Sequence, residues 1–542
     1  MNKRIYWLST VLSVFLSFFL DNPQAIASEA SKNLKFKITF PDSVHAKPIT
    51  GRAYIILTQN NFSEPRWQVG WWGKSAPFFG IDVNNMKPGE TVIIDENVLG
   101  FPNKSLRDLA AGKYYIQGLM NVYTQFNRAD GHVIWVHMDQ WEGQQFNRTP
   151  GNLISSVDSL YLDPKQEYSV QISLNQVIPP LKEANDTDFI KNIKIKSKIL
   201  SEFWGKPMYL GATILLPKGY ASYPDIYYPV LYQQGHFSRN AFGHFKEQSK
   251  FYQFWTADDF PRMIIVNILH PCPYFDDSYA VNSENCGPYG DAIMNELIPY
   301  IENQFRIIRK PYARILYGGS TGGWIALALQ VFHPDFYGGT WSFYPDPVDF
   351  RFFQLINIYE DENAYYYQYN WANPERPAMR DTHGQPLITV RQFSQMESVL
   401  GSRGRSGQQS DAFQAVFGPV GEDGYPKPLW DKETGKIDST VAKFYKEHYD
   451  LRYYLETNWS WLGAKLVGKL HFVCGDMDTY YLNEALYELE NFLEGTTEPY
   501  YQGSFNWGRP RKGHGWTPWD YSSGEFYRLI AEYIIKNTPD EE

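Results

Sequence analysis

The heptapeptide Gly318-Gly319-Ser320-Thr321-Gly322-Gly323-Trp324 constrains the fold more than any other stretch of this sequence. It follows the short apolar run Ala313 to Tyr317 and leads into Ile325-Ala326-Leu327-Ala328-Leu329. Strand, glycine-flanked serine and helix in that order make a nucleophile elbow. The turn is so tight that the positions two residues either side of the serine must be nearly devoid of side chain, which is why Gly318 and Gly322 frame it. Glycine-rich strand-to-helix turns also bind phosphate, so the motif needs partners before it means catalysis. Those partners are a base, an acid that orients it, and donors for an oxyanion.

Around the elbow the chain changes character once. From about Leu34 to Leu174, short runs of period two are separated by Gly, Pro, Asn and Asp: Phe36 to Phe40, Ala53 to Leu57, Thr91 to Ile94, Tyr114 to Leu119 and Tyr168 to Ile172. That pattern predicts an antiparallel, immunoglobulin-like β-sandwich over 28–178, and the lack of a 40-to-50-residue repeat argues against a propeller. Val177-Ile178-Pro179-Pro180 reads as the boundary. From 181 to 540, apolar strands alternate with helical stretches, which predicts a doubly wound, mainly parallel sheet of the α/β class. Its expected strands are Ile193 to Leu200, Met208 to Leu215, Tyr228 to Gln233, Met263 to Ile268, the elbow strand, Gly339 to Phe343 and Leu470 to Cys474. A helix is expected over Asp291 to Asn303, with Ile293, Leu297, Ile298 and Ile301 on one face. The segment 346–453 carries little strand signal and is too long for a structureless loop, so it reads as a cap-like insertion with short helices of its own.

Composition excludes several partners. A net charge of −10 argues against nucleic acid or an anionic membrane surface. The 11 histidines show no metal-ligand pairing, so neither a metal nor a cofactor is expected. At the N-terminus, Lys3 and Arg4, the apolar segment Ile5 to Leu20, and Ala25-Ile26-Ala27 form an export signal over 1–27, with an uncleaved anchor as the alternative. The mature chain is then expected to be secreted or periplasmic and to have no integral membrane segment. In an oxidising compartment Cys272 and Cys286, which bracket a polar loop, are expected to form a disulfide, leaving Cys474 as a buried thiol.

The elbow's partners follow in the chain order a doubly wound hydrolase requires, serine, then acid, then histidine. Gly475-Asp476-Met477-Asp478 comes directly after the Leu470-to-Cys474 strand. Asp478, one turn beyond the strand end, is the expected acid. Asp476 is the alternative, or else caps the helix beginning near Leu482. The base is expected at His514, in Gly513-His514-Gly515-Trp516 after the strand-like Pro499 to Gly503, since a histidine between two glycines has little packing reason to be there. His333 reads as a helix C-cap and His471 as a satisfied strand residue. For the oxyanion hole, Thr321 N–H is one expected donor and the N–H of His236, in Gln234-Gly235-His236-Phe237, the other. The role of the His236 imidazole stays open.

With these residues in place the chain resembles the putative-esterase family of α/β-hydrolases, which includes S-formylglutathione hydrolases, feruloyl and acetyl-xylan esterases, enterochelin esterases and secreted mycolyltransferases. The resemblance is carried by Leu216 to Tyr220, Tyr228 to Tyr232, Asn295 to Glu302, the elbow, His333 to Gly338, and Gly513-His514, in the family's order from about Lys191 to Asn537. It implies an α/β-hydrolase fold and a serine esterase with Ser320, Asp478 and His514 as nucleophile, acid and base. Its substrate would be a small-molecule or carbohydrate-linked ester. Two positions depart from the pattern: Gln234 stands where the family often has His or Asp, and Thr321 where Met is commoner. A prolyl-oligopeptidase-like peptidase, an acyltransferase and a polysaccharide-binding protein on a hydrolase scaffold are the competing readings.

Overall fold

Residues 34–70, 75–138, 141, 145–238, 240–520 and 522–540 are described by a computed structural model; the expected export signal lies outside them. In the first half, alternation decides the packing. Phe36 and Ile38 of strand Lys35–Thr39 are fully buried between half-buried neighbours. That strand lies between Ser169–Ser173 and Val92–Ile94 in one sheet. A second sheet orders Gln176–Val177, Leu153–Ile154, Gly112–Asn127, Ile49–Thr58, Phe78–Met86 and Gly100–Phe101, with Val133–His137 and Asp158–Leu162 also paired to the long Gly112–Asn127 strand. Phe36, Ile38 and Ile172 of the first sheet meet Ile55, Leu57, Ile116 and Met120 of the second in one apolar core. One pairing departs from the expected antiparallel rule: Lys35–Thr39 and Ser169–Ser173 run parallel, with Phe36 opposite Val170. These strands come from opposite ends of the segment, so no hairpin dictates their direction.

Beyond Pro180 whole strands are buried, as in Ile264–Leu269, where all six residues are covered. Such strands need cover on both faces. With a less buried strand at each edge, they form one eight-stranded sheet in the order Ile190–Ser197, Met208–Leu215, Ile264–Leu269, Val230–Gln234, Arg314–Gly319, Gly339–Phe343, Leu470–Gly475 and Ser504–Gly508. The first two pairings are antiparallel and all later ones parallel. Helix Thr321–Phe332 covers one face against the three central strands. Helix Glu525–Asn537 covers the other, with Phe526 and Ile530 against Leu231, Ile315 and Val473. This is the α/β-hydrolase arrangement.

Three boundaries differ from expectation. The strand expected to reach Leu200 stops at Ser197, whose hydroxyl accepts from Leu200 N–H and caps helix Lys198–Trp204. Pro499 to Gly503 is irregular, and the strand beside it is Ser504–Gly508. The helix expected from Asp291 contains a π turn, Ile293–Leu297, just before Pro299, which has no N–H to continue an α-helical ladder. Ile293, Leu297, Ile298 and Ile301 are buried nonetheless.

The segment 346–453 folds into a hairpin, Pro377–Arg380 with Pro386–Thr389, and helices Val390–Leu400, Gln409–Phe417 and Ser439–His448. It is fastened to the second N-terminal sheet. Arg52 Nε donates to Val399 O at 2.7 Å and Nη2 to Ser398 O at 2.9 Å, while Tyr54 OH donates to Leu400 O. In return Arg405 Nη1 donates to Trp135 O at 2.9 Å. By their contacts the described residues form one compact unit. Among the described residues no helix is long and apolar enough to cross a membrane.

Candidate active site

The elbow forms because its backbone admits no bulk. Ser320 ends the strand at φ 58° and ψ −125°, a conformation an L residue adopts only when its surroundings impose it. A Cβ on Gly322 would collide with the carbonyl of Gln234, and one on Gly318 with the carbonyl of Gly322. Ser320 N–H donates to Phe343 O at 3.0 Å, tying the turn to the neighbouring strand. Thr321 opens the following helix, so its amide lies among those with no intrahelical acceptor, at the positive end of the helix dipole.

Asp478 and His514 come together at the same edge of the sheet. His514 Nδ1 lies 2.7 Å from Asp478 Oδ2. Asp478 is completely buried, and its other oxygen accepts from Tyr480 N–H at 2.8 Å and Leu482 N–H at 3.3 Å, which fixes the carboxylate plane. The His514 ring sits between the rings of Tyr344 and Tyr480, with centroids 4.6 and 4.8 Å away. Asp476 has another task. Its Oδ1 accepts from Lys512 N–H at 2.9 Å, so it anchors the loop that delivers His514. It does not cap the helix Leu482–Glu494, where Tyr481 occupies the cap position.

His236 has a network that sequence reading did not anticipate. Its Nδ1 lies 2.9 Å from Asp276 Oδ1 and 3.0 Å from Asp277 Oδ2, and its Nε2 lies 3.5 Å from Thr321 Oγ1. Burial by itself would lower its pKa, but the two carboxylates outweigh that and hold it well above the ordinary histidine value. Asp346, three residues beyond strand Gly339–Phe343, was also missed as a polar centre. It accepts from Tyr279 OH at 2.7 Å, Thr321 Oγ1 at 2.8 Å and Ser320 Oγ at 3.4 Å. Burial raises its pKa above the usual carboxylate range, against the pull of the Tyr279 and Thr321 hydrogen bonds. The only sequence signal for it is its place just past a strand end at the catalytic edge.

Ser320, His514, His236 and Asp346 share the polar end of a cavity of about 370 Å³. Its apolar wall is made mainly by Phe353, Met379, Phe393, Phe413 and Trp430 of the segment 346–453, with Tyr480 and Leu482 contributed from beyond it. His236, Asp276 and Asp277 are also the group of described residues whose ligand atoms, all within 4.8 Å, could converge on a metal ion. Their separations are hydrogen-bond distances, so a protonated imidazole already occupies the carboxylate oxygens that a cation would use. The expected Cys272–Cys286 disulfide is not formed. Both thiols are free and buried with their sulfurs 3.9 Å apart, well beyond a covalent S–S bond of about 2.0 Å.

Residues 208–434 match the family described as "Putative esterase". No curated protein matches the sequence. Among solved structures, the chain is similar to a ferulic acid esterase at 16% identity and a TM-score of 0.36, covering 64% of this chain and 99% of that one. It is also similar to an S-formylglutathione hydrolase from Agrobacterium tumefaciens at 12% identity and a TM-score of 0.35, covering 65% and 98%. A fluorophosphonate-binding serine hydrolase of Staphylococcus aureus has 14% identity and a TM-score of 0.35, covering 64% and 98%. The family match spans residues 208–434, less than half of the chain, and supports carboxylic ester hydrolysis as the activity of that region.

Proposed function

We propose that the chain is a secreted or periplasmic serine esterase that works through a Ser320–His514–Asp478 triad and an acyl-enzyme. The observation that carries this reading is the 2.7 Å bond from His514 Nδ1 to a wholly buried Asp478, which leaves the ring's other nitrogen for the cavity His514 shares with Ser320. Asp478 holds the tautomer, His514 takes the Ser320 proton and returns it to the leaving alcohol, and the amides of Thr321 and His236 receive the oxyanion. In the resting arrangement the Ser320 hydroxyl faces Asp346 across 3.4 Å, so it turns toward His514 as the ester enters. The aromatic wall supports a bulky apolar or aromatic acyl group, with a small alcohol or a carbohydrate on the leaving side. We read 28–178 as a β-sandwich domain that braces the insertion 346–453, and that insertion as the cap holding the acyl group.

The test is stoichiometric labelling by a fluorophosphonate probe and turnover of p-nitrophenyl esters by the wild type, both abolished in Ser320→Ala. A pure Ser320→Ala protein that still hydrolyses these esters overturns the reading.

A further inference from the structure

Two imidazoles flank Ser320 in the cavity, and they are held differently. His514 meets one carboxylate, whereas His236 meets two. We propose that the side chain of His236 is a further catalytic group, whose Nε2–H donates to the ester carbonyl oxygen as that oxygen becomes an oxyanion. This rests on the reading of Ser320 as nucleophile and extends it from backbone donors to a charged one.

Four observations carry the proposal. Nδ1 is engaged by Asp276 and Asp277, so Nε2 is the working end of the ring. That end points at the residue after the nucleophile: it lies 3.5 Å from Thr321 Oγ1, whose own proton goes to Asp346 Oδ2 at 2.8 Å. A contact of 3.5 Å is too long to satisfy a charged N–H, which leaves it available to a better acceptor. The side chain is 45% exposed and lines the cavity, so an incoming ester can reach it. Finally, His236 follows strand Val230–Gln234, whose terminal carbonyl lies against Gly322, so the elbow and this imidazole are positioned by one packed junction.

The chemistry is that of a donor rather than a base. Two carboxylates at 2.9 and 3.0 Å from Nδ1 favour the doubly protonated ring, the direction in which its pKa is shifted, and in that form Nε2 has a hydrogen to donate and no lone pair to offer. A charged donor bonds a developing oxyanion more strongly than a neutral amide does, and the apolar cavity wall reduces screening of that bond. Phe275, edge-on to the ring at 5.5 Å, and the two carboxylates fix its direction in advance.

The experiment compares wild type, His236→Ala and His236→Gln for ester turnover and for inhibition by a trifluoromethyl ketone, whose serine adduct carries the same oxyanion. His236→Ala is expected to lower kcat by ~10²- to 10³-fold, with KM nearly unchanged and ketone inhibition weakened in parallel. His236→Gln, which keeps a neutral donor, is expected to recover part of both. Unchanged melting temperature and complete fluorophosphonate labelling of Ser320 show that the fold and the nucleophile survive. Ketone inhibition unaffected in His236→Ala overturns the proposal, whatever happens to kcat. So does loss of wild-type activity in a chelator with recovery on adding a divalent metal, which would make the cluster a cation site. Failure of the underlying reading is separate, because Ser320 would then not label in any variant.

Discussion

The polar end and the apolar wall of the cavity are built by opposite rules. At the polar end, position is set mainly by backbone geometry: a serine in a strained turn, glycines against carbonyls, a carboxylate caught by two amides of its own loop. The apolar wall comes mostly from the segment 346–453, whose helix Val390–Leu400 is held by Arg52 and Tyr54, more than 300 residues away in sequence. The proposed chemistry therefore rests mainly on backbone sterics, and the proposed acyl preference on long-range docking. That division lets the wall change without disturbing the proposed triad.

The largest effect is expected from Ser320→Ala, with kcat for p-nitrophenyl acetate falling by ~10⁶-fold. Asp478→Asn is expected to lower it by ~10⁴-fold with the fold intact. Asp476→Asn, which touches only the Lys512 amide, is expected to do far less. A ranking with Asp476 the more damaging would reverse the assignment of the acid. Gly322→Ala tests the steric half of the comparison: with no room for a Cβ beside Gln234, we expect a loss of about 3 kcal/mol in denaturant unfolding. Arg52→Ala tests the docking half. It removes the bonds to Ser398 and Val399, and is expected to cost about 2 kcal/mol and raise KM for bulky acyl esters more than for acetate. An equal rise for both would mean that the sheet does not act through the wall.

Two smaller effects sharpen the contrast. Phe413→Ala is expected to lower kcat/KM for aromatic acyl esters by roughly tenfold and leave acetate turnover nearly alone, in steady-state kinetics on both substrates. His471 gives a pH signature remote from catalysis. Its ring stacks on Trp341 and bonds to Ser504 and Gly468, and burial pushes its pKa down to about 4. Below the ordinary histidine value the unfolded chain binds a proton that the folded chain refuses, so this group removes stability as pH falls from about 6.5 toward 4. Melting temperatures at pH 7 and pH 5 should accordingly differ less in His471→Gln than in the wild type.

Much of the fold was legible because its signals are local. Period-two runs marked strands in the first half, and buried apolar runs marked them in the second. The Ser197 boundary was missed because a serine able to cap a helix leaves the apolar pattern running on past the strand's end. At the site, the tight turn at Ser320 was legible from its glycines, whereas the roles proposed for Asp478 and His514 rest on their order along the chain and on the bond between them. The role of Asp476 was not, because the amide it holds is 36 residues away. Nor was the pairing of His236 with Asp276 and Asp277, since nothing near Gly235 announces a carboxylate 40 residues on.

Taken alone, the sequence determined the strand-turn-helix at Ser320 and the change from alternating to doubly covered strands near Pro180. These are readable because backbone sterics and side-chain period act between neighbours. Tertiary structure alone decided that Asp346 faces the serine, that His236 carries two carboxylates, that Cys272 and Cys286 stay unbonded, and that the segment 346–453 supplies most of the apolar wall. Those are contacts between distant segments, set by which buried surfaces fit together, and no local pattern in the chain records them.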